Sequence, residues 1–311
     1  VQPDAGVHAG PLTRTATPAP HEGTPMTPDA DRRRSFRAVL VNTFIANLTT
    51  SFLWFAVTFW MYLETRSVLV TSILGGSYLL LLAIMGVPLG SWVDRTRKRR
   101  VMLVAQLVTA ALFAVAFGIY LAVPRADLLT IGSPAFVGFV AALLLGAVTE
   151  SARGIALSTT VTLLVPDGER SKANGLVGIV NGLSFAVTSV FSGLAVGRLG
   201  MTWSLVIAVA LTLLSLVHLM TVRIPEPEIV HADGVPKPVD FAGAWAAVRA
   251  VPGLAWLIVF TTFNNLIGGV HMALIDPYGL TLVSVEVWGL LWGVLSFGFM
   301  IGGAVVARFG L

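Results

Sequence analysis

The chain has 311 residues, of which 56% are hydrophobic and only 12% charged, with a formal net charge of +4 and no cysteine. A mean hydropathy of +0.84, against the roughly 25% charged content of an ordinary soluble domain, excludes a soluble protein and makes nucleic acid an unneeded explanation of the basic balance. The missing cysteines exclude disulfides and thiolate metal sites. Residues 1–34, rich in Pro, Thr, Ala and Gly, read as a disordered tail. The tail lacks the apolar core and cleavage site of a signal peptide, so the first membrane helix is expected to act as an uncleaved targeting signal. Measured against the ~20 apolar residues a spanning helix needs, the runs predict eight spans, at 37–63, 70–93, 101–123, 134–163, 173–197, 202–222, 251–273 and 284–307. The runs are continuously apolar rather than alternating, which excludes a transmembrane barrel. The expected fold class is therefore an all-α membrane protein.

The basic residues predict orientation. With the N-terminus inside, the inner segments collect the Arg32–Arg34 run, Arg37, the cluster from Arg95 to Arg100, Arg170, Lys172, Arg223, Lys237, Arg249 and Arg308, whereas the outer side keeps Arg66, Arg125 and Arg198. Both termini are then cytoplasmic, in a multi-pass protein of the cell membrane. The polar interruption at 224–250 reads as a cytoplasmic linker, Pro-rich at first and then FAGAWAAVRA, a short amphipathic helix for the membrane surface. The expected organisation is a tail (1–34), a six-helix bundle (35–223), the linker (224–250) and part of a second bundle (251–311).

Between spans two and three stands Gly90-x-x-x-Asp94-Arg95-x-x-Lys98-Arg99-Arg100. Gly90 permits close approach of two helix backbones. Asp94 places a carboxylate at a helix end, where it can cap a neighbouring N-terminus or pair with the local arginines. The plain alternative is that the cations only anchor topology. The stretch resembles the G-x-x-x-D-R-x-G-R-K/R signature of the major facilitator superfamily, and the layout of six spans, a linker and further spans agrees. Within that superfamily the loop GSWVDRTRKRR, the turn LVPDGERSKANGL and the segment DPYGL resemble the drug-efflux branch that includes macrolide exporters, over about residues 36–311. The resemblance implies helical bundles of the major facilitator type working by alternating access. It also implies a small-molecule substrate, protons as the coupling ion, no cofactor, a monomer in the lipid bilayer, and a gating role for Asp94 and Arg95. Two positions depart from the family pattern. Arg97 replaces the usual loop glycine, and Ser189 stands where span-five antiporter patterns carry proline, which weighs against proton-driven antiport.

Ionisable groups inside a span are costly and point to function. Glu150 and Arg153 in span four are three apart and share a helix face. They read either as a coupling or cation-recognising carboxylate tuned by a nearby positive charge, or as a permanently ionised structural pair. Span one carries Asn42 and Asn47; span seven carries Asn264, Asn265, Gly268, Gly269 and His271. The amides and paired glycines predict either a helix that opens at a cavity or interhelical bonding and close packing. His271 and His218 read as interfacial rather than as proton relays, and Phe52, Trp54, Phe55, Phe59 and Trp60 as ordinary packing and interface belts or a greasy polyspecific pocket. No metalloprotease, P-loop or Cys/His motif is present, so no enzyme is expected.

Superfamily members normally carry twelve spans, and Gly303-x-x-x-Ala307-Arg308 aligns with Gly90-x-x-x-Asp94-Arg95 as a weak internal repeat. By this reading the chain is a piece of a transporter that stops after the eighth span. The leading expectation is a proton-driven exporter of amphipathic small molecules with its cavity between spans one, four and seven. The alternatives are a uniporter or symporter of sugars or siderophore-like solutes, and a non-transporting scaffold that docks partners on 224–250.

Overall fold

The computed structural model describes residues 29–226 and 241–309. These form α1 (Asp29–Thr65), α2 (Val68–Arg95), α3 (Lys98–Ala122), α4 (Arg125–Leu129), α5 (Pro134–Leu164), α6 (Arg170–Leu194), α7 (Gly200–Thr221), α8 (Phe241–Ala250), α9 (Leu254–Leu282), α10 (Val285–Leu295) and α11 (Phe297–Phe309). No strand occurs among the described residues, and the all-α membrane fold is as expected.

Among the described residues, seven continuous helical segments are long and apolar enough to cross a membrane, where eight spans are expected. The difference lies in Asp167–Thr221, which joins the expected fifth and sixth spans into one 55-residue segment. A π-helical turn at Ala195–Leu199 carries α6 into α7, and Gly200, with φ of 80°, reverses the chain. Asn47 and Phe52 of α1 bond to Asn181 and Ser192 of α6 in the same order, so these helices run parallel. Asn42 bonds instead to Ser215 of α7, while Leu48 and Phe52 lie with Ile207 and Leu211, so α7 runs back. The segment therefore makes two passes.

Other boundaries move as well. Helix α1 starts at Asp29, so residues 29–34 are helical rather than tail; the rest of the expected tail and 227–240 of the expected linker lie outside the described residues. FAGAWAAVRA forms α8, with the Arg249 guanidinium 5.0 Å from the Trp245 ring. Helix α9 continues through Pro277 to Leu282 instead of ending at 273. Span eight divides at Ser296 into α10 and α11.

Packing follows from where small and large residues fall. One core fills the bundle around the fully buried Phe59, Phe113 and Phe139, and a second lies near the α2–α3 loop around Val39, Val93, Val101, Met102 and Leu219. Helices α10 and α11 lie against α6 along a seam of small residues. A Cβ at Gly303 would stand 2.8 Å from the Ile179 backbone nitrogen and 3.0 Å from the Gly175 carbonyl, and one at Gly182 would stand 2.9 Å from Met300. Small residues let membrane helices approach this closely, where dispersion contacts replace the missing hydrophobic drive. The apolar side chains of Trp256, Phe260, Phe263 and Leu266 on α9 are exposed.

Candidate functional site

Three helices meet at the ionisable pair in α5. Glu150 is 7% and Arg153 3% exposed, and the guanidinium donates Nε–H to Glu150 Oε1. Arg153 also donates from Nη2 to Asn47 Oδ1 at 2.8 Å and from Nη1 to Thr43 Oγ1 at 3.5 Å, both on α1. Asn47 Nδ2 in turn donates to Asn181 Oδ1 on α6 at 2.7 Å. The network thus brings together Glu150, Arg153 and Asn47 as candidates, and adds Thr43 and Asn181, which hydropathy reading passed over. The second carboxylate oxygen of Glu150, Oε2, is buried with no hydrogen-bond partner.

Asn42 belongs elsewhere. Its Nδ2 donates to the Ser215 carbonyl at 2.9 Å and to Ser215 Oγ at 3.3 Å, where Gln106 Nε2 also donates at 2.5 Å. These bonds tie α1, α3 and α7 together, the packing role that polar groups take in membranes.

One helical turn from the network, C-terminal along α1 and α6 and N-terminal along α5, Thr50, Phe185 and Ala147 open into a cavity of about 180 Å³. Leu53, Trp54, Val57, Leu74, Tyr78, Phe113 and Met272 are also in its mostly apolar wall. Trp54, Tyr78 and Met272 also line a second cavity of about 290 Å³ that reaches Thr58, Thr71, Asn265 and Asp276. The cavity expected from spans one, four and seven therefore also draws on spans two, three and five. Asn265 lines the second cavity, although its Nδ2 donates to Thr261 of its own helix at 2.9 Å. Asn264 is exposed and is not among the residues lining the second cavity. Of the two readings of the paired glycines, the one in which the helix opens is not met, because α9 is regular through Gly268 and Gly269.

Asp276 was missed by sequence reading. It is 4% exposed, and its Oδ1 accepts from both Trp288 Nε1 at 2.9 Å and Trp292 Nε1 at 2.7 Å on α10. A Cβ at Gly279 would overlap the Trp288 ring, so the glycine of DPYGL makes room for this contact.

The signature loop is a knot of helix caps. Lys98 Nζ donates to the Val93, Thr96 and Asp94 carbonyls at 2.7, 3.3 and 3.4 Å, covering the end of α2. Arg99 donates from Nε to the Val222 carbonyl and from Nη2 to that of Met220, both at 2.8 Å, covering the end of α7. Glu226 accepts from the backbone nitrogens of Lys98 at 2.6 Å and Arg99 at 2.7 Å, a carboxylate at the positive end of α3. Asp94 and Arg95 are exposed. No atom lies within 4 Å of a Cβ placed at Gly90, so the close approach expected there is not made among the described residues; the aligned Gly303 makes it instead.

No curated protein matches this chain at a significant level. Its fold is similar to a crystal structure of a bacterial homologue of the human lysosomal transporter Spinster, in an inward-facing and unoccupied conformation, with a TM-score of 0.64 and 18% identity. That likeness covers 91% of this chain and 64% of the other, so the chain spans about two thirds of that protein's length. The sequence profile of the major facilitator superfamily matches residues 39–311, and the chain therefore belongs to that superfamily of membrane transporters.

Proposed function

We propose that this chain is the part of a proton-coupled exporter of amphipathic small molecules that carries the coupling carboxylate, Glu150, and that it works by alternating access in the cytoplasmic membrane with both termini inside. The observation that carries this reading is the unpartnered Glu150 Oε2, buried one turn from an aromatic and aliphatic cavity. A carboxylate with one oxygen held by arginine and the other free has a place for a proton. The bonds from Arg153 to Asn47 and from Asn47 to Asn181 join that carboxylate to two other helices of the bundle. A change in its charge is thereby felt where α1 and α6 pack. Asp94 and Arg95, exposed beside the capped loop, are assigned to gating against the second bundle, and the transporter acts as a monomer.

A uniport or symport reading draws on Ser189, which sits in an unbroken α6 where the antiporter pattern has proline. Vesicles holding the complete transporter, loaded with an amphipathic dye under an imposed pH gradient, separate the two. Dye movement opposite to the proton gradient supports export; movement with it, or indifferent to it, refutes export by proton exchange.

A further inference from the structure

A buried carboxylate without a cation is as costly in the membrane at Asp276 as at Glu150. Among the described residues Asp276 makes no ion pair. His271, five positions earlier on α9, supplies its nearby titratable group. Both indole donors go to Oδ1, and two neutral N–H groups stabilise a carboxylate without neutralising it. The residue lines the second cavity together with Thr58, whose hydroxyl oxygen is itself buried and has no hydrogen-bond partner. An acid and an orphaned hydroxyl thus meet in one space. The same cavity is lined by Trp54 and Tyr78, whose rings lie 5.1 Å apart and tilted, and aromatic faces attract a cation.

We infer that Asp276 and Thr58 form a recognition site for the ammonium end of a cationic amphipathic ligand, whose apolar body occupies the adjoining cavity beside Trp54, Tyr78 and Phe185. An ammonium group supplies the missing countercharge to Asp276 and a hydrogen bond to Thr58 Oγ1. Trp288 and Trp292 hold the acid in position from α10, so the occupied site draws α1, α2, α9 and α10 together. The site is separate from the Glu150 network: Thr58 lies eleven residues beyond Asn47 on α1, about 16 Å along the helix. As a statement of substrate class the inference rests on the transporter reading, but it is tested by equilibrium binding, which can succeed or fail whatever vesicles show for transport.

The test uses 4-phenylbutylamine and its uncharged counterpart 4-phenylbutanol, titrated against the detergent-solubilised protein and followed by ligand-dependent thermal stabilisation. The amine is expected to bind about tenfold or more tightly than the alcohol, the worth of a charge-assisted hydrogen bond. Asp276→Asn is expected to remove that preference, and Thr58→Val to weaken the amine severalfold. Equal responses to amine and alcohol in the unaltered protein overturn the inference, and this comparison stands even if Asp276→Asn does not fold. So does an amine affinity that survives Asp276→Asn within twofold, or that falls only with Glu150→Gln, since the cation then sits elsewhere.

Discussion

Replacing Arg153 by methionine isolates what the buried pair contributes. The side chain keeps an unbranched apolar stem but is shorter, and it loses the charge and the donors that reach Glu150, Asn47 and Thr43. Glu150, 7% exposed, is then a buried carboxylate with neither oxygen held by a cation. Removing one partner of a buried ion pair costs about 3–5 kcal/mol, chiefly because the other charge is stranded. Changing both residues, Glu150→Gln with Arg153→Met, removes the stranded charge and leaves unpaired amides, worth about 1–3 kcal/mol. Thermal unfolding in detergent, followed by tryptophan fluorescence, should therefore place the single Arg153→Met variant below the double variant. If the single variant is as stable as the double, the pair is not held as an ion pair, and the account of Glu150 as a charge tuned by Arg153 is wrong.

Three further outcomes follow from the packing. Glu226→Ala should destabilise by about 1–2 kcal/mol in the same unfolding assay, because the backbone nitrogens of Lys98 and Arg99 lose their acceptor; no loss would mean the cap is decorative. Gly303→Ala should cost about 1–3 kcal/mol by overpacking against Ile179 and Gly175, whereas Gly90→Ala, which meets nothing within 4 Å, should be neutral or stabilise by up to ~1 kcal/mol through helix propensity; equal effects would deny the seam. Asn42→Val should cost about 1 kcal/mol from the lost bonds to Ser215 and leave ligand binding unchanged, whereas Asn47→Val should perturb both stability and function.

The sequence displayed what depends on hydropathy and on spacing along one helix. Glu150 and Arg153 were legible because they interrupt an apolar run and stand three apart. Asn181 and Thr43 were not, because their importance comes from helix packing across more than a hundred residues of chain. Asp276 was hidden by a boundary: with His271, Asp276 and Pro277 in succession, the apolar run reads as ending at 273, yet α9 carries through to Leu282 and takes the acid inside. The run of apolar residues through π turn and Gly200 concealed nothing of the two passes but hid how they join. The spacing of Gly175, Gly178 and Gly182, three and four apart, was a signal for the seam with α11 that glycine counting on one face would have caught. Glu226 lay in a stretch read as linker, and its capping of α3 is a tertiary contact that no local pattern announces.

Glu150 is the proposed carrier of the proton. The most direct test of that role is proton movement in proteoliposomes of the complete transporter, reported by a pH-sensitive dye in the lumen when an amphipathic substrate is added, compared between the unaltered protein and Glu150→Gln. The account predicts a substrate-dependent pH change in the first that disappears in the second, with substrate binding retained. An unchanged proton signal in Glu150→Gln would contradict it.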